Sequence, residues 1–258
     1  MGCAQRGPLG PENPGARRPG AGAQAGGPGG ARRAERRKAL VMEVLRYDPD
    51  HPDEAVLLAA AETVLRGGLI AFPTDTLYGL GCSLFDVSAV EMVARLKRRD
   101  PSLAFISLIP DAAQVYGLAS EVTEVAERLM ARYWPGPLSL IFRSASLVPR
   151  SVCGAGGTVA LRYPHDRLCE RLLDRIGGPV VSSSANLTGH RTAETAEEVV
   201  RIFGNQLDLV IDGGPRHGGQ PSTLVDVSGV RPRLLRRGAV DVTPELGPLE
   251  DVAAPGSD

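Results

Sequence analysis

Two stretches of this chain concentrate side chains able to do chemistry. In Pro73-Thr74-Asp75-Thr76-Leu77-Tyr78-Gly79-Leu80, two hydroxyls, a carboxylate and a phenol directly follow the apolar run Leu69-Ile70-Ala71-Phe72. In Val181-Ser182-Ser183-Ser184-Ala185-Asn186, hydroxyls and an amide again follow an apolar start. Groups of this kind hold ligands by hydrogen bonds. Two readings of the first stretch are open: a turn that satisfies only its own backbone, or a ligand loop at the carboxyl end of a buried strand, where open α/β sheets bind substrates. Lys97-Arg98-Arg99 adds cations at the end of a helix-like segment. A helix dipole favours them there, yet a point-charge lysine and a forked arginine are also the usual partners of phosphate and carboxylate. Arg162 closes the run Val159-Ala160-Leu161, and Arg236-Arg237 precede Gly238.

Other chemistries lack their residues. The serines stand outside any G-x-S-x-G elbow, and no histidine is placed by motif as a base for Ser184. Gly154-Ala155-Gly156-Gly157 is glycine-rich, but the chain has no GxxxxGK[ST]. Cys3, Cys82, Cys153 and Cys169 have no CxxC spacing, and His51, His165, His190 and His217 have no ligand spacing. Neither a disulfide framework nor a protein-held metal is expected, and a reduced, cytoplasmic compartment suits the thiols.

The elements that must position these groups follow from period and punctuation. Helices are predicted over 52–66, 86–97, 122–130, 164–176 and 195–204. The second has an Asp86 cap and an apolar stripe of Val87, Val90, Val93 and Leu96; the last opens on a Thr195/Glu198 capping box. Strands are predicted over 44–47, 69–72, 103–109, 138–142, 158–161, 180–182, 209–211, 223–227 and 233–235. Strands that succeed one another without a helix between them imply a mixed sheet. The expectation is one α/β domain with a twisted mixed sheet and helices on both faces.

Composition sets the limits. The chain has 258 residues, 43% hydrophobic and 23% charged, as in globular domains. Its net charge of -1 hides a split. Residues 1–42 hold eight Lys/Arg against two Asp/Glu, leaving 21 and 28 for the rest. An acidic body argues against a general nucleic-acid binder. The Gly/Pro/Arg-rich residues 1–42 read as a disordered extension, 43–243 as the folded domain and 244–258 as a flexible tail. The basic cluster at 32–38 is suited to weak RNA contact. No apolar run reaches a membrane-spanning length.

In content and order, these motifs resemble the signature of the YrdC/Sua5 family, the L-threonylcarbamoyl-adenylate synthases that begin t6A modification of tRNA. The matching pieces are the octapeptide at 73–80, Lys97 and Arg99, Pro135-Gly136-Pro137 with Ser139, Arg162 with Pro164, Ser184-Ala185-Asn186, Asp212-Gly213-Gly214 and Ser222-Thr223-Leu224-Val225-Asp226. The resemblance covers residues 53–238. It implies a YrdC-like fold and the formation of threonylcarbamoyl-AMP and pyrophosphate from L-threonine, bicarbonate and ATP with Mg2+. It further implies that Lys97 and Arg99 are catalytic. ATP would be bound by Lys97, Ser139, Arg162, Ser184, Asn186 and Arg237; threonine by Thr74, Thr76, Tyr78, Arg99 and Ser222. The implied partners are a tRNA-modifying transferase complex that receives the adenylate, and tRNA or double-stranded RNA.

One departure stands out: Leu103 occupies a position where the family usually has a lysine or asparagine before Pro-Leu. That supports an alternative, an RNA- or ribosome-binding module with weak or no catalysis. A third reading, the carbamoyl-adenylate domain of a maturation factor, is disfavoured because the accessory zinc-finger and acylphosphatase-like regions are missing.

Overall fold

The computed structural model describes residues 42–99, 104–154, 156–216 and 220–246. Most of the expected extension and tail, together with Cys3, Leu103, Ala155 and His217, lies outside the described residues.

Ten strands form one mixed sheet in the order β1-β8-β2-β3-β7-β4-β6-β5-β9-β10. In chain order they are β1 Glu43–Arg46, β2 Ile70–Pro73, β3 Tyr78–Ser83, β4 Ile106–Leu108, β5 Leu138–Arg143, β6 Thr158–Arg162, β7 Val180–Ser184, β8 Leu209–Asp212, β9 Thr223–Asp226 and β10 Arg233–Arg236. Parallel pairing (β1 with β8, β8 with β2, β4 with β6, β5 with β9) alternates with antiparallel pairing (β2 with β3, β3 with β7, β7 with β4, β5 with β6, β9 with β10).

The helices begin where hydroxyl or carboxylate side chains can satisfy free backbone N–H groups. Asp53 caps α1 (Glu54–Leu65) by accepting from Ala55 N at 2.8 Å, and Asp86 caps α2 (Val87–Lys97) by accepting from Ala89 N at 3.1 Å. After the short α3 (Val115–Leu118), α4 (Glu124–Tyr133) is capped by Thr123, α5 (Arg167–Ile176) by Asp166 and α6 (Ala196–Phe203) by Thr195; α7 (Thr243–Leu246) is a single turn. Helices cover both faces. On one, α1 and α5 bury Leu57, Ala60, Leu168 and Leu172 against Ile70, Phe72 and Ile211. On the other, α2, α4 and α6 bury Val90, Val93, Leu129 and Val199 together with Leu80, Leu138 and Phe142.

Four local expectations change. Pro52 precedes the Asp53 cap of α1 instead of opening the helix. Gly79 and Gly81 lie inside β3, a buried strand absent from the strands predicted above. A Cβ on Gly81 would stand 2.6 Å from Phe72 Cε1, so the glycine lets the β2 ring cross β3. On α2 the buried positions are Ala89, Val90, Val93 and Lys97, while Val87 is exposed; the helix is rotated so that a lysine ends its inner stripe. Finally, Glu198 accepts from Glu194 N at 2.8 Å, one residue before the expected reciprocal partner, while its own N–H donates to Thr195 Oγ1.

Candidate functional site

Strand pairing and side-chain contacts collect the chemistry around the turn between β2 and β3. The carboxyl ends of β2, β7 and β8 lie beside the amino end of β3, and Arg162, at the carboxyl end of β6, reaches the β2–β3 turn through its side-chain contact with Asp75. Both polar stretches that stand out in the sequence therefore meet. Gly79 pairs with Ser184, and Ala185 N donates to Tyr78 O at 2.8 Å.

The turn from β2 to β3 is tied by Thr74. Its Oγ1 lies 2.7 Å from Leu77 O and 3.0 Å from Thr76 Oγ1, and it accepts from Thr76 N and Leu77 N. This is the self-satisfying turn that the residue types allow. The ligand-loop reading rests on what the turn presents beside it. Tyr78 is fully buried, donates to Gly214 O at 2.9 Å and accepts from Gly213 N at 3.3 Å. Burial, with Asp212 next in weight, pushes its phenol up to about 12, so it remains a donor.

Lys97 is 2% exposed and, among the described residues, no carboxylate pairs with it; its ammonium is enclosed by the β7 loop. Nζ donates to Asn186 Oδ1 at 2.7 Å, to Asn186 O at 3.0 Å and, more closely, to Ser184 O, with Ser184 Oγ at 3.3 Å. Burial and then the nearby Arg99 charge bring its pKa down to about 8. Ser184 Oγ donates to Asn186 Oδ1 at 2.7 Å, and Asn186 Nδ2 donates to His190 O at 2.6 Å. Arg98 caps α2 with φ 50, a left-handed conformation uncommon for a residue with a side chain, and it reverses the chain between Lys97 and Arg99. Arg99 donates to Ala104 O at 2.7 Å and stacks over Phe105, 4.8 Å from its ring centroid.

A second cationic cluster lies on the β6, β5, β9 and β10 side. Arg162, 6% exposed, donates from Nε to Gly136 O at 3.0 Å and from Nη2 to Asp75 in a short ion pair. Ser139 Oγ and Ser222 Oγ are 2.9 Å apart. Arg236 donates to Ser222 O at 2.9 Å and to Ser222 Oγ at 3.1 Å. Although this side chain keeps access to solvent, desolvation and then the neighbouring Arg162 hold its pKa below the ordinary arginine value. The approach of β10 to β9 depends on Gly238, where a Cβ would fall 2.2 Å from Pro221 O and 2.5 Å from Thr223 N.

The structure thus links Thr74, Thr76, Tyr78, Lys97, Ser139, Arg162, Ser184, Asn186 and Ser222 around the β2–β3 turn through the contacts above. Arg99 joins through its charge on Lys97, with its guanidinium turned to Ala104. Arg237 lies near Asp241, and the adjacent Arg236 donates to Ser222 and stands near Arg162. A register shift between Leu234 and Arg236 decides which of two adjacent arginines faces the site, and no residue type marks it. Asp75 and the backbone of Gly136, Gly213 and Gly214 also went unassigned from the sequence; the carboxylate inside the octapeptide was the available signal for Asp75. His51 pairs with Asp48, and His165 lies near Glu170.

A family profile described as "Telomere recombination", which spans the Sua5, YciO and YrdC proteins, matches residues 62–238. The chain belongs to the Sua5/YciO/YrdC family. Threonylcarbamoyl-AMP synthase of Pyrococcus abyssi (strain GE5 / Orsay) is 35% identical over 200 residues, 78% of this chain and 57% of that protein. The chain therefore spans little more than half of that relative's length. A putative threonylcarbamoyl-AMP synthase of Mycobacterium tuberculosis is 34% identical, across 75% of this chain and 88% of that one. The Escherichia coli (strain K12) protein YciO, named as uncharacterized, is 33% identical across 77% and 96%. In structure, P. abyssi Sua5 complexed with L-threonine superposes with a TM-score of 0.76 at 32% identity, covering 83% of this chain and 67% of that one. E. coli YciO superposes with a TM-score of 0.73 at 31% identity, covering 80% of this chain and all of that one (100%).

Proposed function

We propose that this family member is a threonylcarbamoyl-AMP synthase. L-threonine and bicarbonate form a carbamate, a carbamate oxygen attacks the α-phosphorus of ATP, and pyrophosphate leaves. The observation that carries the reading is the meeting of a hydroxyl- and phenol-bearing turn, a Ser-Ala-Asn loop holding a buried lysine, and a pair of neighbouring arginines. The reaction needs no covalent enzyme intermediate. It needs reactants held in line and phosphate charge neutralised by groups already in place.

The groups divide the work by their chemistry. Arg162 and Arg236 offer forked donors to the leaving phosphates. Lys97, mostly charged at neutral pH, supplies positive charge at the Ser184–Asn186 loop and must exchange one of its loop acceptors to meet a phosphate. Arg99 adds to that charge and is the partner for the threonine carboxylate. Ser139, Ser184 and Asn186 hydrogen-bond the nucleotide; Thr74, Thr76, Tyr78 and Ser222 hold threonine. Magnesium binds oxygen ligands. The carboxylate beside the arginines, Asp75, is committed to Arg162, so these residues do not fit a protein-held magnesium ion, and magnesium enters only with ATP as substrate. Relatives named for this activity, and the P. abyssi Sua5 structure with L-threonine, support the reading. The adenylate would pass to a tRNA-modifying transferase complex in the cytoplasm, for t6A formation.

The test is pyrophosphate release from ATP and magnesium, with and without L-threonine plus bicarbonate. Release that requires both substrates is expected. The similarity to YciO, which this chain covers almost end to end, favours a second reading: a family member with other chemistry, including RNA binding without catalysis. A folded protein that releases no pyrophosphate, and binds RNA with steep salt dependence, would establish it and displace the first.

A further inference from the structure

Asp75 stands in the middle of the octapeptide, and neither the turn nor the strand needs its carboxylate. Thr74 supplies the turn's hydrogen bonds. The Asp75 carboxylate instead crosses to β6 and pairs with Arg162, with the two side chains only 19% and 7% exposed. Arg162 and Arg236 are neighbours close enough for like charge to lower the Arg236 pKa. Arg236 is otherwise engaged by the hydroxyl and carbonyl of Ser222, both uncharged. Among the described residues, the carboxylate that pairs with Arg162 beside Arg236 is that of Asp75. Asp166, the other acid close to this corner, caps α5 by accepting from Cys169 N at 2.9 Å.

We infer that Asp75 is an internal counter-anion that competes with a polyphosphate for the Arg162–Arg236 pair. The inference deepens the synthase reading, since its ligand class, pyrophosphate or the phosphates of a nucleotide, is the one that reading puts at these arginines. Two cations with no fixed anion would hold a polyanion tightly and release it slowly. A tethered carboxylate occupies Arg162 when the ligand is away and repels the ligand when it is present, which weakens retention of the departing anion. Asp75 lies one residue from both Thr74 and Thr76, so the same contact ties the turn at the threonine side to the phosphate side. A purely structural ion pair behaves in the opposite way. Removing its acid disorders the arginine and weakens anion binding.

The test is calorimetric titration of the full chain with magnesium-free inorganic pyrophosphate, comparing wild type, Asp75→Asn, Arg162→Gln and the double variant, with thermal unfolding as the check on folding. Asp75→Asn is expected to tighten pyrophosphate binding at least about threefold, and the gain is expected to vanish in the Arg162→Gln background. Unchanged or weaker binding in Asp75→Asn, a gain that persists without Arg162, or no binding by any form would overturn the inference. If Asp75→Asn does not fold, Asp75→Ser makes the same charge change, and failure of both would assign Asp75 a structural role instead. The titration needs no threonine and no turnover. A protein that meets these expectations yet shows no threonine-dependent pyrophosphate release keeps the counter-anion and loses the synthase reading.

Discussion

Two regions beside this sheet differ in what they offer a ligand. At the end where β3 finishes, a hollow of about 420 Å3 is lined by Val64, Leu65, Ser83, Phe85, Asp86, Val87 and Ser88. Its carboxylate, Asp86, is used as the α2 cap, and Leu65, Phe85 and Val87 leave apolar surface exposed. The region around the β2–β3 turn instead presents Lys97, Arg162, Tyr78, Ser139 and Ser222, all buried. The difference teaches that concavity is cheap at a sheet end, whereas charge without water is costly. Buried cations persist where surrounding structure holds them in place, and such groups mark functional sites more reliably than volume does.

That comparison can be broken or sharpened by substitution. The largest effect is expected for Arg162→Gln, which removes the fork shared by Gly136 and Asp75. Pyrophosphate release should fall about a hundredfold, roughly 2.7 kcal/mol of transition-state stabilisation, in a steady-state assay on a protein that still unfolds cooperatively. Lys97→Ala should lower turnover at least tenfold, about 1.4 kcal/mol. Normal rates in both would leave the polar region without a catalytic claim. Tyr78→Phe deletes one donor and one acceptor at Gly213 and Gly214; a loss on the order of 1 kcal/mol should appear as a higher threonine KM with little change in kcat. The smallest effect belongs to the hollow. Phe85→Ser should leave release within about twofold and stability within about 0.5 kcal/mol; a drop comparable to that of Lys97→Ala would move the site to the hollow.

Lys97 also gives the comparison a pH signature. Its folded pKa, about 8, lies below the ordinary 10.5. Between those values the unfolded chain binds more protons than the folded one, so the cost of burying this lysine is present below pH 8 and disappears as pH rises towards 10.5. Stability from this group rises across the window, while pyrophosphate binding that depends on its charge falls. Lys97→Met should abolish the rise seen in denaturant unfolding at stepped pH. A rise of the same size in Lys97→Met would detach it from this residue.

Much of this was legible in the residues. Two helix starts followed from Asp86 and Thr195, because a capping side chain acts on N–H groups two or three positions away; the caps Asp53, Thr123 and Asp166 lie one or two residues inside the bounds read from the sequence. Most strands were legible from short β-branched and apolar runs. β3 was not, because two glycines and a cysteine carry little strand propensity; the strand exists through its neighbours β2 and β7. The inner face of α2 was misjudged at its ends, since a helical stripe does not tell Leu96 from Lys97 until another loop supplies acceptors for the ammonium.

By itself the sequence determined the kinds of groups available and their order: two polar stretches after apolar runs, a cationic helix end, hydroxyls flanking prolines and glycines. Covalent order and local hydrogen bonding suffice for that. Tertiary structure alone decided which groups meet. Antiparallel pairing of β3 with β2 and β7 brought Tyr78 to Ser184, the β9–β10 register shift chose Arg236 over Arg237, and the crossing from the β2–β3 turn to β6 joined Asp75 to Arg162. Each depends on backbone pairing between distant segments, and so on a register that no short stretch of sequence encodes.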